Sequence, residues 1–261
     1  MPLPYMEQDN VYRGYETFPL QPYNGGAGTS RGPHGNIAIQ RLSRHTPIAT
    51  MQCPSDSGPF GNELFDNTYG FMRGNYKAIT GSGDMYGNLP ELQPAVTPNP
   101  FAIGVYGVTR GDPVTGQVAK PRMVKITSIT DGTSNTVSFS EGIQPQTANW
   151  GGPIGNPWFG NMGGGLMTTT LTPNSTVPDQ IYGPCPGDNG DASYKAPCKR
   201  FANNGDFHAA ERAHAAARSF HSGGVNTGMT DGSVRFFRNS IDLATWRAFG
   251  TMANGEVISD N

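Results

Sequence analysis

One short segment contains both a histidine and an aspartate. Residues 221–237 read HSGGVNTGMTDGSVRFF, with His221 at the start and Asp231 near the middle. A general base must lie within about 3 Å of the group it serves. An extended strand rises about 3.3 Å per residue, so the strand between these two side chains separates them by on the order of 30 Å. We therefore predict a structural motif, His221 with Asp231-Gly232, and no catalytic residues.

The same segment predicts a β-hairpin. Asp231-Gly232 lies between two alternating apolar runs, 225–230 and 233–238. Asp-Gly favours a two-residue turn, because glycine adopts a positive φ readily and aspartate tolerates one. The resulting register has two cross-strand pairs on one face: Met229 with Val234, and Thr227 with Phe236.

Three further side chains raise the question of a metal site. Residues 206–218, DFHAAERAHAAAR, are alanine-rich with Asp206 placed as a cap, and predict an exposed helix. His208, Glu211 and His214 would fan across about 120° of that helix, whereas a zinc-protease helix has two histidines at i and i+4. The interpretation we favour is a solvated helix that carries histidines.

The cysteines are Cys53, Cys185 and Cys198. The last two bracket a Pro/Gly/Asp-rich loop with almost nothing apolar to fix its shape, and a disulfide in an extracytoplasmic protein would restrict it. The alternatives are two unpaired thiols or, less favoured because no CxxC spacing exists, a metal site. Cys53 is then the odd cysteine, which indicates a missing partner or a free thiol.

The loop between these cysteines also holds a calcium candidate. Asp188, Asn189 and Asp191 crowd oxygen atoms onto a short segment, as calcium prefers. Their spacing differs from the twelve-residue calcium loop, so a polar turn facing solvent is the alternative. No other cofactor is expected.

Composition and charge exclude several classes of function. The 36 glycines and 22 prolines indicate a loop-rich chain. The 18 Lys+Arg against 20 Asp+Glu leave no basic field for nucleic acid or an anionic membrane. Every apolar run is broken before it could span a bilayer, and the first residues do not resemble a signal peptide.

The remaining patterns predict an α+β domain with an antiparallel sheet. Strand signals fall at 48–53, 75–80, 123–126 and 136–141, besides the hairpin. Residues 241–251 have helical spacing, with Trp246 and Phe249 expected to pack under the hairpin. Long Gly/Pro-rich loops are expected near 21–36, 84–120 and 143–205.

Three sets of segments carry a resemblance to a known family. They are MQCPSD with GNYKAITGSG at 51–56 and 74–83, ITSITDGTSNTVSFSEG at 126–142, and FHSGGVNTGMTDGSVRFFRNSIDLATWRAFGTMANGEVIS at 220–259. They resemble the pilin-like bacterial surface proteins expanded in planctomycetes, whose signature is His, nine residues, Asp-Gly. This family is related to the pseudopilins of type II secretion and to type IV pilins.

The resemblance implies a single pilin-like globular domain over 1–261, exposed outside the cytoplasm or at the cell surface. It implies a non-enzymatic subunit of a filament, pseudopilus or surface layer, whose partners are other copies or other pilin-like subunits. Members begin with a leader and a long apolar helix that are not in this sequence, so membrane contact is expected only through that helix. The family's upstream segment often carries a cysteine, which suggests a partner for Cys53.

Two other functions stay open. A carbohydrate-binding module could use Trp150, Trp158 and Phe159 in the 143–165 loops, because sugars stack on aromatic faces. A hydrolase is the second alternative, although the chain has no G-x-S-x-G elbow, and Ser134 lies in a turn with no assigned base.

Overall fold

A mixed β-sheet forms the centre of the molecule. The computed structural model describes residues 3–16, 43, 45–56, 72–84, 102–107, 123–144, 162–181, 185, 196–200 and 213–256. In chain order the strands are β1 (Tyr76–Ile79), β2 (Val137–Glu141), β3 (Leu166–Met167), β4 (Asp179–Ile181), β5 (Cys198–Arg200), β6 (Gly224–Met229) and β7 (Val234–Arg238). The helices are α1 (Asp9–Glu16) and α2 (Leu243–Phe249), with 3-10 turns at Leu3–Met6, Ala49–Met51 and Ile126–Ser128. Few helices beside one main sheet confirm the predicted α+β class.

The main sheet has the strand order β3-β1-β2-β6-β7. The pairs β1–β2, β2–β6 and β6–β7 are antiparallel, as predicted. The edge strand β3 runs parallel to β1, and β4 pairs with β5 in parallel in a separate two-stranded sheet. The predicted antiparallel sheet therefore consists of β1, β2, β6 and β7, with β3 added in parallel at one edge.

One face of the main sheet packs on the core. Ile79, Val137 and Val225 point to this face and are fully buried. Helix α2 closes the core, with Trp246 and Phe249 in contact with the Phe237 ring at centroid distances of 5.1 and 4.9 Å. The prediction that this helix packs under the hairpin is confirmed.

Helix α2 begins where the sequence places a cap. The Asp242 side chain accepts from the Thr245 backbone N–H at 2.9 Å, which satisfies a donor that the first turn leaves free. Gly250 follows the last helical residue, Phe249. The predicted range 241–251 therefore contains the observed helix with two residues in excess at each end.

The hairpin forms, but its loop is longer than predicted. The Gly232 N–H donates to Met229 O and the Met229 N–H donates to Ser233 O, at 3.0 and 2.8 Å. Gly232 has φ +88°, whereas Asp231 keeps a negative φ. This is a three-residue loop with glycine in the left-handed region. The register is shifted by one residue as a result, so the predicted pairs are wrong: Gly228, not Met229, lies opposite Val234.

The predicted helix at 206–218 is wrong for the part that the structure describes. Residues 213–218 are extended, and Ala213, Ala215 and Ala217 are buried in the main core. The backbone of this segment bonds to neighbours on both sides: Thr168 N–H donates to Ala215 O, and His214 exchanges two hydrogen bonds with Gln180. These tertiary partners outweigh the helix propensity of alanine.

The predicted strands at 48–53 and 123–126 are also wrong. Residues 49–51 form a 3-10 turn, residues 123–125 have no regular structure, and Ile126 begins a second 3-10 turn. The Met51 backbone carbonyl accepts from Asn75 N–H, so the turn at 49–51 is held by the entrance to β1. The predicted loop region 143–205 contains three short strands, β3, β4 and β5. Among the residues described, no helix is long and apolar enough to cross a membrane.

A disulfide joins Cys185 and Cys198, the pairing predicted from the sequence, with Cα atoms 6.0 Å apart. Both cysteines pack on Ile181 of β4. The bridge therefore ties Cys185 to β5 of the two-stranded sheet.

Candidate functional site

Three side chains from distant parts of the chain meet at one end of the main sheet. Cys53 follows the 3-10 turn Ala49–Met51, Glu141 ends β2, and His221 lies in the turn before β6. His221 Nε2 is 3.0 Å from Glu141 Oε1 and 3.8 Å from Cys53 Sγ. We call these three residues the Cys-His-Glu cluster. Its three ligand atoms all lie within 4.8 Å of one another.

A buried polar network positions Cys53. Its backbone N–H donates to Asn75 Oδ1 at 2.8 Å. Asn75 Nδ2 donates to Asp56 Oδ2 at 2.6 Å and to Gly142 O at 2.8 Å. The Asn75 side-chain amide, one residue before β1, thus links Cys53 and Asp56 to Gly142, the residue that follows Glu141.

Glu141 is held by the adjacent strand. Its Oε2 accepts from the Asn226 backbone N–H at 2.7 Å and its Oε1 from Asn226 Nδ2 at 3.1 Å. The His221 N–H donates to Ser219 Oγ at 3.1 Å, and Ser219 Oγ donates to Gly224 O at 2.8 Å. The carboxylate and the imidazole are therefore oriented by groups that belong to β6 and the turn before it.

Exposure differs within the cluster. Cys53 is a buried free thiol, and the Glu141 side chain is 3% exposed, whereas the His221 side chain is 31% exposed. Burial is the main cause that raises the pKa of the neighbouring Tyr76 phenol, and electrostatic contributions from Cys53 and Glu141 add to it. Because His221 is the exposed member of the cluster, solvent reaches the three ligand atoms from the His221 side.

The arrangement differs from a nucleophilic triad. In a triad one imidazole nitrogen faces the nucleophile and the other faces the carboxylate. Here the same atom, His221 Nε2, faces both Cys53 Sγ and Glu141 Oε1. Three donors directed at one point are instead what a metal ion requires.

The face of the sheet opposite the core is largely apolar, and Phe139, Val234 and Phe236 are exposed on it. Tyr76, Phe139, Glu141, Asn226, Val234 and Phe236 point to this open face. A groove of about 540 Å³ lies on it, lined by several of these residues and by Met6 and Met51. Glu141 belongs to both the groove and the Cys-His-Glu cluster.

The predicted motif residues lie at the two ends of β6. His221 precedes β6 and joins the cluster, whereas Asp231 follows β6 and accepts from Ser233 N–H and Oγ–H at 2.9 and 2.6 Å. These hydrogen bonds, from the Ser233 hydroxyl above all, lower the pKa of Asp231. The structure does not bring His221 and Asp231 together.

Several candidates lie outside the described residues. They are the calcium candidates Asp188, Asn189 and Asp191, the helix residues His208 and Glu211, and the aromatic residues Trp150, Trp158 and Phe159. His214 is described and is fully buried beside Gln180, not solvated on a helix as predicted.

The cluster itself was missed at the sequence level. The sequence patterns indicate Cys53 only as a free thiol or the partner of a missing cysteine, and Glu141 only as the end of a predicted strand. The signal that could have found it is that each of the three residues falls in a different one of the segments that carry the family resemblance: MQCPSD, TVSFSEG and FHSGG.

The fold and the site define an α+β domain whose main sheet has one open apolar face and a Cys-His-Glu cluster at the end of that face. The chain belongs to the family of proteins of unknown function DUF1559, whose family model matches residues 2–244. No curated protein and no solved structure shows a significant match to the chain.

Proposed function

We propose that this chain is the globular domain of a pilin-like subunit displayed outside the cytoplasm, and that it acts by contact with other subunits and not as an enzyme. The observation that carries the proposal is the open apolar face of the main sheet. Val234 is 72% exposed and Phe236 is 49% exposed on this face, although both are in a well-formed strand.

The groove makes this face suitable for a protein partner. Met6, Met51 and Phe139 contribute apolar walls, and the Tyr106 ring extends the apolar surface by packing on Phe139 at 5.0 Å. A large contiguous apolar patch exposed on a protein surface typically marks an interaction site. The partner we propose is a second copy of this chain, as expected for a subunit of a filament or surface layer.

The disulfide supports the proposed location. Cys185–Cys198 is a structural bridge in a loop-rich region, and such bridges persist mainly in oxidising compartments outside the cytoplasm. Membership of DUF1559 and the resemblance of the His221 to Gly232 signature to pilin-like surface proteins point the same way.

Sedimentation velocity over a range of concentrations tests the proposal. We expect the wild-type chain to self-associate, and Val234→Asp to reduce the association constant by at least about tenfold, because a carboxylate would be desolvated in the interface. Val177→Asp is the matched control, since Val177 is also an exposed valine, 43% accessible, and lies outside the groove.

The control should associate as the wild type does. A wild-type chain that stays monomeric at every concentration, or a Val234→Asp variant that associates as well as Val177→Asp, would overturn the proposal that this face binds a second copy.

A further inference from the structure

We propose that Cys53, Glu141 and His221 form a zinc-binding site with three protein ligands and a fourth position open to solvent. The inference is independent of the proposed subunit role. It starts from the geometry of the cluster, in which a thiol, an imidazole and a carboxylate place their ligand atoms within 4.8 Å of one another.

The distances are close to those of a zinc site. Zinc binds sulfur at about 2.3 Å and nitrogen or oxygen at about 2.0–2.2 Å, which places tetrahedral ligand atoms about 3.3–3.6 Å apart. His221 Nε2 and Glu141 Oε1 are 3.0 Å apart, and His221 Nε2 and Cys53 Sγ are 3.8 Å apart. Adjustments of a few tenths of an ångström bring these two distances to zinc spacing. The third distance, from Cys53 Sγ to the Glu141 carboxylate, is within 4.8 Å and must shorten by up to about 1.2 Å for zinc to bind all three.

The sulfur, nitrogen and oxygen donors of the cluster favour zinc over calcium and magnesium. A thiolate and an imidazole favour zinc and similar transition metals, whereas calcium and magnesium require oxygen ligands. Zinc binding would displace the proton from the Cys53 thiol to solvent and leave His221 neutral. The two negative charges of the Cys53 thiolate and the Glu141 carboxylate would then be balanced by one divalent cation.

Outer contacts hold the ligands in place. Asn226 donates twice to the Glu141 carboxylate, and Asn75 accepts from the Cys53 backbone. Such partners orient metal ligands and commonly change affinity by about 10–100-fold when removed. The site is therefore organised before the ion arrives.

The open position follows from exposure. Cys53 and Glu141 are buried, while the His221 side chain is 31% exposed. Zinc sites with three protein ligands take water or an external ligand at the fourth position. The accessible side of His221 is where that ligand would enter.

Cobalt titration of the untagged, chelator-treated full chain tests the site, followed by displacement with zinc. We expect a thiolate-to-cobalt charge-transfer band that saturates at one equivalent and is lost on addition of zinc. Cys53→Ser should abolish the band, and His221→Gln should weaken cobalt binding by at least about 100-fold. Asn226→Ala should weaken it by about tenfold, because one outer donor is lost.

Controls separate the site from adventitious binding and from misfolding. Glu141→Gln should also weaken cobalt binding, because an amide replaces the carboxylate ligand. Its matched control, Glu7→Gln, changes an exposed glutamate outside the cluster and should bind cobalt as the wild type does. Circular dichroism in the presence of chelator should show every variant folded. Native mass spectrometry should find one zinc ion on the wild type and none on His221→Gln.

A wild-type chain without the charge-transfer band would overturn the proposal and leave a hydrogen-bonded His221–Glu141 pair beside a thiol. Undiminished cobalt affinity in folded His221→Gln would also overturn it.

Discussion

Lys77 places an amine on the core-facing side of β1, where it is only 4% exposed. Burial is the main cause that lowers the pKa of Lys77 from 10.5 to about 8. The Asp179 carboxylate opposes this shift, and the Arg218 guanidinium adds to it. Arg73 and Asp56 have smaller effects, lowering and raising the pKa respectively.

The lowered pKa predicts a pH-dependent stability. Between pH 8 and 10.5 the unfolded chain keeps the Lys77 proton while the folded chain releases it, so the contribution of Lys77 to stability rises with pH. Below pH 8 both states are charged, and the burial cost is present in full. We expect the free energy of unfolding of the wild type, relative to Lys77→Met, to rise by up to about 3 kcal/mol across this window.

Chemical denaturation at a series of pH values measures this difference. Lys125→Met is the control, because Lys125 is exposed. Its profile should stay parallel to that of the wild type. If the free energy of unfolding of Lys77→Met also changes with pH in parallel with that of the wild type, the pKa of Lys77 is not lowered.

At the residue scale, local sequence revealed some of the site residues and not others. The Cys185–Cys198 bridge could be predicted because a short loop without apolar residues needs a constraint. The Cys-His-Glu cluster could not, because 168 residues separate Cys53 from His221 and 80 separate Glu141 from His221. The pairing of β2 with β6 and the Asn75 hydrogen bonds to the Cys53 loop bring the three side chains together.

The hairpin loop is the element whose details depend most on its neighbours. The Thr230 N–H donates to Thr136 O at 2.8 Å, and the Asp231 N–H donates to Thr133 O at 3.1 Å. Thr230 Oγ1 also lies 3.0 Å from Ser138 Oγ. These bonds to β2 and the turn before it favour the three-residue loop over the two-residue turn that Asp-Gly predicts.

A substitution at Gly232 tests the conformation of the hairpin loop, because an added Cβ fits there without a clash. Gly232 has φ +88°, and a Cβ added there would meet nothing within 4 Å. Gly232→Val should therefore lower the free energy of unfolding by more than about 1 kcal/mol through backbone strain alone, because β-branched residues resist positive φ.

The matched variant is Gly232→Asn, since asparagine tolerates the left-handed region and should lose less stability than valine. Thermal unfolding of both variants measures the effect. Equal melting midpoints for wild type and Gly232→Val would contradict the strain at this position.

At the scale of the whole molecule, a buried ion pair joins the two sheets. Arg218 Nε and Nη2 donate to the Asp179 carboxylate at 3.0 and 2.7 Å, with side chains 2% and 8% exposed. Asp179 belongs to β4, while the Arg218 N–H donates to Glu141 O at the end of β2. Ala216 N–H also donates to Asp179 Oδ1 at 3.0 Å. The extended segment 213–219 thereby links the small sheet to the large one.

Removing one partner should be costly. Asp179→Ala leaves a guanidinium buried without its carboxylate and should lower the free energy of unfolding by about 3–5 kcal/mol. The double variant Asp179→Leu/Arg218→Met removes both charges. Its free energy of unfolding should fall by less than that of Asp179→Ala, because no unpaired charge remains buried. Denaturant unfolding measures both. A double variant less stable than the single would contradict this account of the pair.

The sequence by itself determined the elements whose signals are local. Alternating apolar residues around Asp231-Gly232 and the Asp242 cap before Trp246 specify the hairpin and α2, because turn and cap chemistry act over a few residues. The tertiary structure decided what depends on distant partners: the one-residue register of the hairpin, the extended course of 213–218, and the meeting of Cys53, Glu141 and His221. Each of these is fixed by hydrogen bonds and burial between segments far apart in the chain, and no local propensity encodes them.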